Sequence, residues 1–233
     1  MYIVYFYVMD NFRIKQTFWG IGGFILLSFF SMIFYPGGTL IDKDTDGYLF
    51  FYNFLSNLGE RTARNGDDNF ISSILFNSSL ILVSISFLIF YSKYFQFFKK
   101  EKKSYNFIKF ALFFLLVSVI SFICIALFTA DESSFDEHIF FVKLAFRSLF
   151  LFTIFQSIAI HFNSEMSNKL LFVSILFSLS MVLFILMMDY GPNPFESNFG
   201  LFVQVTSQKF IAFCILLNTY FQAKESLTFV SKG

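Results

Sequence analysis

Long apolar runs alternate with short polar segments along the chain, the runs falling at about 17–35, 70–91, 110–128, 138–161, 170–188 and 202–220. Each approaches the ~20 residues with which a helix crosses ~30 Å of hydrocarbon. The pattern predicts an all-α fold, a polytopic bundle of six transmembrane helices in a single membrane domain, 1–233. The first run contains Gly20, Gly22 and Gly23, small residues that permit close helix contact, and Pro36-Gly37-Gly38 ends it. Residues 1–9 are apolar but too short to span. No small-residue cleavage site follows the first run, which therefore reads as a retained helix rather than a signal peptide. In the second run Ser73, Asn77 and Ser84 lie four and seven residues apart, on one helix face.

The longest polar segment, 38–69, separates the first two runs. It holds the acidic cluster Asp42, Asp44 and Asp46, then an aromatic stretch at 48–55 that is too short to cross and suits the membrane interface. Ser56-Asn57-Leu58-Gly59-Glu60-Arg61 follows. In its plainest reading this is a turn, with Gly59 supplying an unusual backbone angle.

Composition supports the membrane reading: 56% of residues are hydrophobic, 41 are Phe and 14% are charged, against ~25% charged in soluble domains. A net charge of +1 gives no reason to expect a nucleic-acid partner. The distribution of charge says more. With the N-terminus inside, the cytoplasmic side holds Arg13, Lys15, Lys93, the basic run at 99–103, Lys109, Lys169, Lys224 and Lys232, and the outer loops hold only Lys43, Arg61 and Arg64. That bias predicts both termini cytoplasmic in a cell membrane, the inner membrane of a bacterium being the expected setting. Cys124 and Cys214 read as packing residues, and two separated histidines, His138 and His161, do not make a metal site. No metal or cofactor is expected.

Candidate chemistry lies in the polar residues within the spans. A charge in a membrane span is costly and marks a functional hypothesis. Arg147 lies about nine residues into the fourth helix, ~14 Å from its outer end, with Lys143 one turn above it and Asp136 on the same face. Gln204, Gln208 and Lys209 lie in the outer half of the sixth helix and Asn77 in that of the second, while the inner half contributes little beyond serines. The nearest acids are at the rim: Glu60, Asp131, Glu132, Asp136, Glu137 and Asp189. Two readings stay open. Rim acids pair with the cations while Lys143 and Lys209 snorkel outward, or Arg147, Lys209, Lys143, Asn77, Gln204 and Gln208 line a pocket for a phospholipid headgroup or fatty carboxylate. Ser134, Phe135, Asp136 and Glu137 also fit a capping box at the start of the fourth helix.

The Ser56-Asn57-Leu58-Gly59 box, Phe76-Asn77, Asp131 and His138 together resemble a prokaryotic six-helix membrane protein family of unknown function, related to the Frag/DRAM/Sfk proteins of eukaryotes. The chain departs from that pattern in having Asn57 for an Asp, and Thr129-Ala130 where a Pro precedes the Asp. Both departures count against a catalytic role at those positions. The resemblance implies a role near membrane lipid, the expected partner, without naming a reaction.

Three functions follow. The first is a lipid-associated protein binding an anionic group in its outer half. The second is an interfacial lipid hydrolase or acyl transferase, for which His138, Asp131, Glu60 and Asn57 are the candidate catalytic residues, provided that the first outer loop folds over the fourth helix. No nucleophile-elbow or zincin motif supports it. The third is a small transporter; neither broken helices nor an internal repeat points to one.

Overall fold

The computed structural model describes residues 2–230, with side chains from 11 to 229; Met1 and Lys232 lie outside the described residues. The chain folds as six helices: α1 (Tyr2–Phe34), α2 (Phe70–Tyr94), α3 (Lys102–Leu127), α4 (Phe135–His161), α5 (Asn168–Tyr190) and α6 (Asn198–Val230). All six are long and apolar enough to cross a membrane. The described chain is an all-helical, multi-pass bundle. Its helices outrun the apolar stretches that announce them. The backbone of 2–10 continues α1 instead of standing apart from it, and α6 runs ten residues past the expected end at 220.

Each helix packs on its neighbours in sequence and α6 returns to α1, which closes a ring. Two seams are joined by small polar side chains. Between α1 and α2, Ser31 Oγ lies 2.8 Å from Ser72 Oγ, and Gln16 Nε2 donates to the Ser86 carbonyl at 2.9 Å. Between α3 and α4, the hydroxyls of Ser104 and Ser118 donate to the carbonyls of Ala159 and Ala145 at 2.7 and 3.0 Å. Where lipid removes the hydrophobic drive between helices, close packing and such bonds hold them together. Of the three glycines in α1 only Gly20 serves the seam. A Cβ there would meet Ser86 Oγ at 2.2 Å, whereas Gly22 and Gly23 face open space.

One end of the ring, here the loop end, holds the 35–69 segment and the α3–α4 and α5–α6 connections; the other, the termini end, holds both ends of the described chain. The 35–69 segment is folded. Gly38 takes a φ of +80°, Asn53 ties Leu49 N and the Gly38 carbonyl together at 2.8 and 2.7 Å, and a 3-10 turn at Leu55–Gly59 enters the bundle. Gly59 has no positive φ. It is glycine because the turn presses on α2, where a Cβ would meet Asn77 Oδ1 at 2.5 Å and Phe76 at 3.2 Å.

Candidate functional site

The loop end is built around that turn. From α2, Ser73 Oγ and Asn77 Nδ2 both donate to the Gly59 carbonyl, at 2.8 and 3.0 Å, and Ser72 Oγ reaches the Leu58 carbonyl at 3.2 Å. From α6, Gln208 Oε1 accepts from Leu55 N at 2.8 Å and Lys209 Nζ donates to the Asn53 carbonyl at 2.6 Å. An apolar environment supplies no water to these backbone groups, so side chains from two helices satisfy them instead.

Inside the clamp, Asn57 accepts from Phe54 N at 2.7 Å and donates to Glu60 Oε1 at 2.9 Å. The Arg64 guanidinium pairs with the same carboxylate oxygen. Glu60 is only 2% exposed, and burial pushes its carboxyl from an ordinary value near 4.5 up to about 7 against the opposing pull of Arg64 and Asn57. Asp131, in the α3–α4 connection, accepts from the backbone N–H of Arg61 at 3.0 Å and from the Thr129 hydroxyl at 2.5 Å. The loop therefore does fold over the start of α4.

His138, 3% exposed, turns Nδ1 to the Phe128 carbonyl at 2.8 Å. That bond makes Nδ1 the protonated nitrogen of the neutral ring and leaves Nε2 as an acceptor. Asn57, Glu60, Asp131 and His138 thus gather in one corner, but among the described residues no carboxylate is hydrogen-bonded to His138. Ser134 does not form the expected capping box; its hydroxyl donates to the Thr129 carbonyl at 2.7 Å.

The cations do not converge on a pocket. Arg147 is exposed on the outer surface of the bundle and holds the Asp189 carboxylate of α5 at 2.9 and 3.0 Å. Lys143 is exposed on the same helix. Lys209 lies 5.3 and 5.0 Å from the ring centres of Tyr48 and Phe50, a cation–π cradle in the folded loop. Gln204 donates to the Met187 and Pro192 carbonyls at 2.8 and 3.2 Å and so fixes the α5–α6 connection.

What the ring does enclose is apolar. A cavity of about 110 Å³ lies among α1, α2, α3, α4 and α6. Its walls are chiefly Phe, Leu, Val and Ile, with Ser56, His138 and Gln208 at the loop end and Ser84 and Ser118 on the shaft. On α4 it extends from His138 to Leu149, eleven residues, or ~16 Å at 1.5 Å per residue. That is about half of a ~30 Å hydrocarbon layer. Ser56 opens the Ser56–Gly59 box, but nothing in the sequence marks its hydroxyl as a site group, and its place at the cavity comes only from the folded loop.

Below the shaft lies a second polar group that the apolar pattern conceals. Tyr91, Gln156, Asn218, Thr219 and Gln222 are all at most 2% exposed. Gln222 Nε2 donates to Gln156 Oε1 at 3.1 Å, and the Tyr91 hydroxyl lies against Thr219 and Gln222. The inner half therefore contains more than serines. The visible signal was Asn218 and Gln222 one turn apart, but an α6 ending at 220 puts Gln222 outside the membrane.

No protein-family model matches this chain, and no curated protein or solved structure matches it either.

Proposed function

We propose that this protein binds a single-chain carboxylic acid, a fatty acid in chemical class, with the chain in the central shaft and the carboxyl group at the loop end. The observation that supports this most is the division of the cavity: mostly apolar walls from His138 to Leu149 along α4, with the polar groups chiefly at the loop end. At that mouth Gln208 has committed its oxygen to Leu55 N, which leaves its amide nitrogen as a donor. His138 has committed Nδ1 to Phe128, which leaves Nε2 as an acceptor. One donor and one acceptor lining the same cavity complement the C=O and O–H of a carboxylic acid. Ser56 supplies a hydroxyl able to play either part.

This keeps the expected fatty carboxylate but moves its site from the cations to the shaft, and Arg147, Lys143 and Lys209 become positioning and surface groups. With the loop end facing outward, as the Lys and Arg distribution favours, the ligand enters from the outer leaflet. A role near lipid also agrees with the six-helix family that the Ser56–Gly59 box and His138 resemble.

The test uses a spin-labelled long-chain fatty acid and its methyl ester with the purified full chain in detergent. Strong immobilisation of the acid, and several-fold weaker binding of the ester, is the expected result. Equal binding of acid and ester removes the carboxyl assignment, and no immobilisation of either removes the reading.

A lipid hydrolase or acyl transferase is the second reading, favoured by one observation: Ser56 and His138, a hydroxyl and an imidazole, line the same mouth. Ester turnover by the wild type that is lost in Ser56→Ala, with acid binding retained, would establish it.

A further inference from the structure

Outside the ring a second recess opens between the loop-end halves of α2 and α3. It encloses about 630 Å³ and follows α2 from Phe70 to Ile81, ~16 Å of helix. Ile74, Ile81, Ala126 and Leu127 form apolar walls interrupted by Ser73, Asn77, Ser78 and Thr129, while Arg61 and Asp68 stand at its mouth. The central cavity uses Phe76 and Ile125 of the same two helices, so one wall separates the two spaces.

The charges at the mouth are set by backbone. Asn69 N donates to the Arg61 carbonyl at 2.9 Å, and Thr62 faces Asp68 in an antiparallel bridge. These contacts bring Arg61 and Asp68 beside each other across one small turn. Both residues are exposed, and among the described residues neither side chain has a hydrogen bond or an ion pair. Lining the same recess, they still do not pair within 4.0 Å. An unpaired cation and an unpaired anion above an apolar trough complement a ligand with one phosphate, one amine and an acyl chain.

From this we infer that the α2–α3 recess is a binding site for a zwitterionic aminophospholipid. Its phosphate sits on Arg61, its ammonium on Asp68 and one acyl chain runs down the trough past Ile74 and Ile81. The six spanning helices place the trough in the hydrocarbon layer, where lipid is the only solvent available to fill it. Arg presents its donors as a planar fork that matches phosphate geometry, and Asp68 discriminates by accepting the ammonium hydrogens that a glycerol headgroup lacks.

The site is independent of the central shaft, and the experiment separates them. The full chain is reconstituted in nanodiscs of equal phosphatidylethanolamine and phosphatidylglycerol, extracted gently, and its retained phospholipid is identified by mass spectrometry. Wild type is expected to retain phosphatidylethanolamine several-fold over phosphatidylglycerol. Asp68→Asn is expected to abolish that preference with total lipid little changed, and Arg61→Gln to lower both lipids several-fold. The shaft-filling variant Ala212→Trp is expected to keep the wild-type pattern. No preference in the wild type, or an unchanged preference in both charge variants, overturns the assignment. Loss of the preference in Ala212→Trp overturns it too, because the retained lipid would then lie in the shaft. Thermal unfolding midpoints equal to wild type for Asp68→Asn and Arg61→Gln, both at exposed positions, exclude misfolding as the cause.

Discussion

The two ends of the bundle bury polar groups on opposite terms. At the loop end Asn57, Glu60, Ser72, Ser73 and Asn77 are held by a folded loop whose backbone offers N–H and C=O groups to them. Among the described buried polar atoms there, Arg64 Nε, Asn69 Oδ1 and Thr206 Oγ1 lack a partner. At the termini end, the Gln156 amide nitrogen, the Gln222 amide oxygen and both polar atoms of the Asn218 side chain lack one. The cause is architectural. Helices consume their own backbone groups, so side chains meeting between helices have only each other, whereas an irregular turn inserted into a bundle brings partners with it. The loop end is therefore a fixed scaffold able to position chemistry, and the termini end is a polar patch under weak constraint.

The sharpest way to break this contrast is to remove the hub of the scaffold. Asn57→Leu deletes the bond to Phe54 N and the bond to Glu60. Loss of two buried hydrogen bonds that leaves Phe54 N and the Glu60 carboxyl short of a partner costs about 2–4 kcal/mol, and a lowered unfolding midpoint in detergent is the expected outcome. Gly59→Ala tests the close approach to α2 and is expected to cost about 1–3 kcal/mol as overpacking against Asn77 and Phe76; an unchanged midpoint would show that the turn is not clamped.

Glu60 makes the loop pH-sensitive in a defined direction. Its carboxyl is raised from near 4.5 to about 7, so the folded loop holds the proton more tightly than the unfolded chain does. Its contribution to stability is fully present below the ordinary value and is lost as pH rises through about 7. Amide exchange in the 55–64 loop, corrected for intrinsic rates, is expected to become less protected from pH 5 to pH 8 in the wild type and to change much less in Glu60→Gln. Protection that rises with pH in the wild type would contradict the burial of a neutral carboxyl.

At the termini end the expectation inverts. Gln156→Leu together with Gln222→Leu removes their mutual hydrogen bond along with two amide atoms that lack partners, and replacing both members of such a pair with apolar groups is near neutral or stabilising. An unfolding midpoint at or above wild type is expected. A loss as large as that of Asn57→Leu would show that the two ends are built alike.

Much of the architecture was legible in the sequence because spanning helices need only length and apolarity; 70–91 reappears within α2, and 110–128 all but its last residue within α3. The corner of Asn57, Glu60, Asp131 and His138 was legible as a candidate acid–base set, but its convergence depended on the first outer loop folding over the fourth helix, which polar patterning alone does not fix. The fate of the cations was not. Helical spacing puts Arg147 and Lys143 on one face but cannot say whether that face looks into the ring or out of it. Only the packing of α4 on α3 and α5 settles that Arg147 turns outward to Asp189. The shaft was equally hidden, because Val83, Val142 and Ala212 read as ordinary apolar positions until five helices leave a gap between them.

The smallest effect is expected where the cations are. Arg147→Met with Asp189→Asn removes both members of an ion pair on the outside of the ring at once, so no unpaired charge is left behind, and is expected to leave fatty-acid binding unchanged. Loss of binding in this double variant would return the site to the cations.

The most direct measurement is native mass spectrometry of the wild type and Ala212→Trp, each incubated with one long-chain fatty acid. A single bound acid per chain in the wild type, absent from a folded Ala212→Trp and retained in Arg147→Met/Asp189→Asn, is the result predicted by a chain-filled shaft. Equal occupancy in wild type and Ala212→Trp would place the acid elsewhere and contradict it.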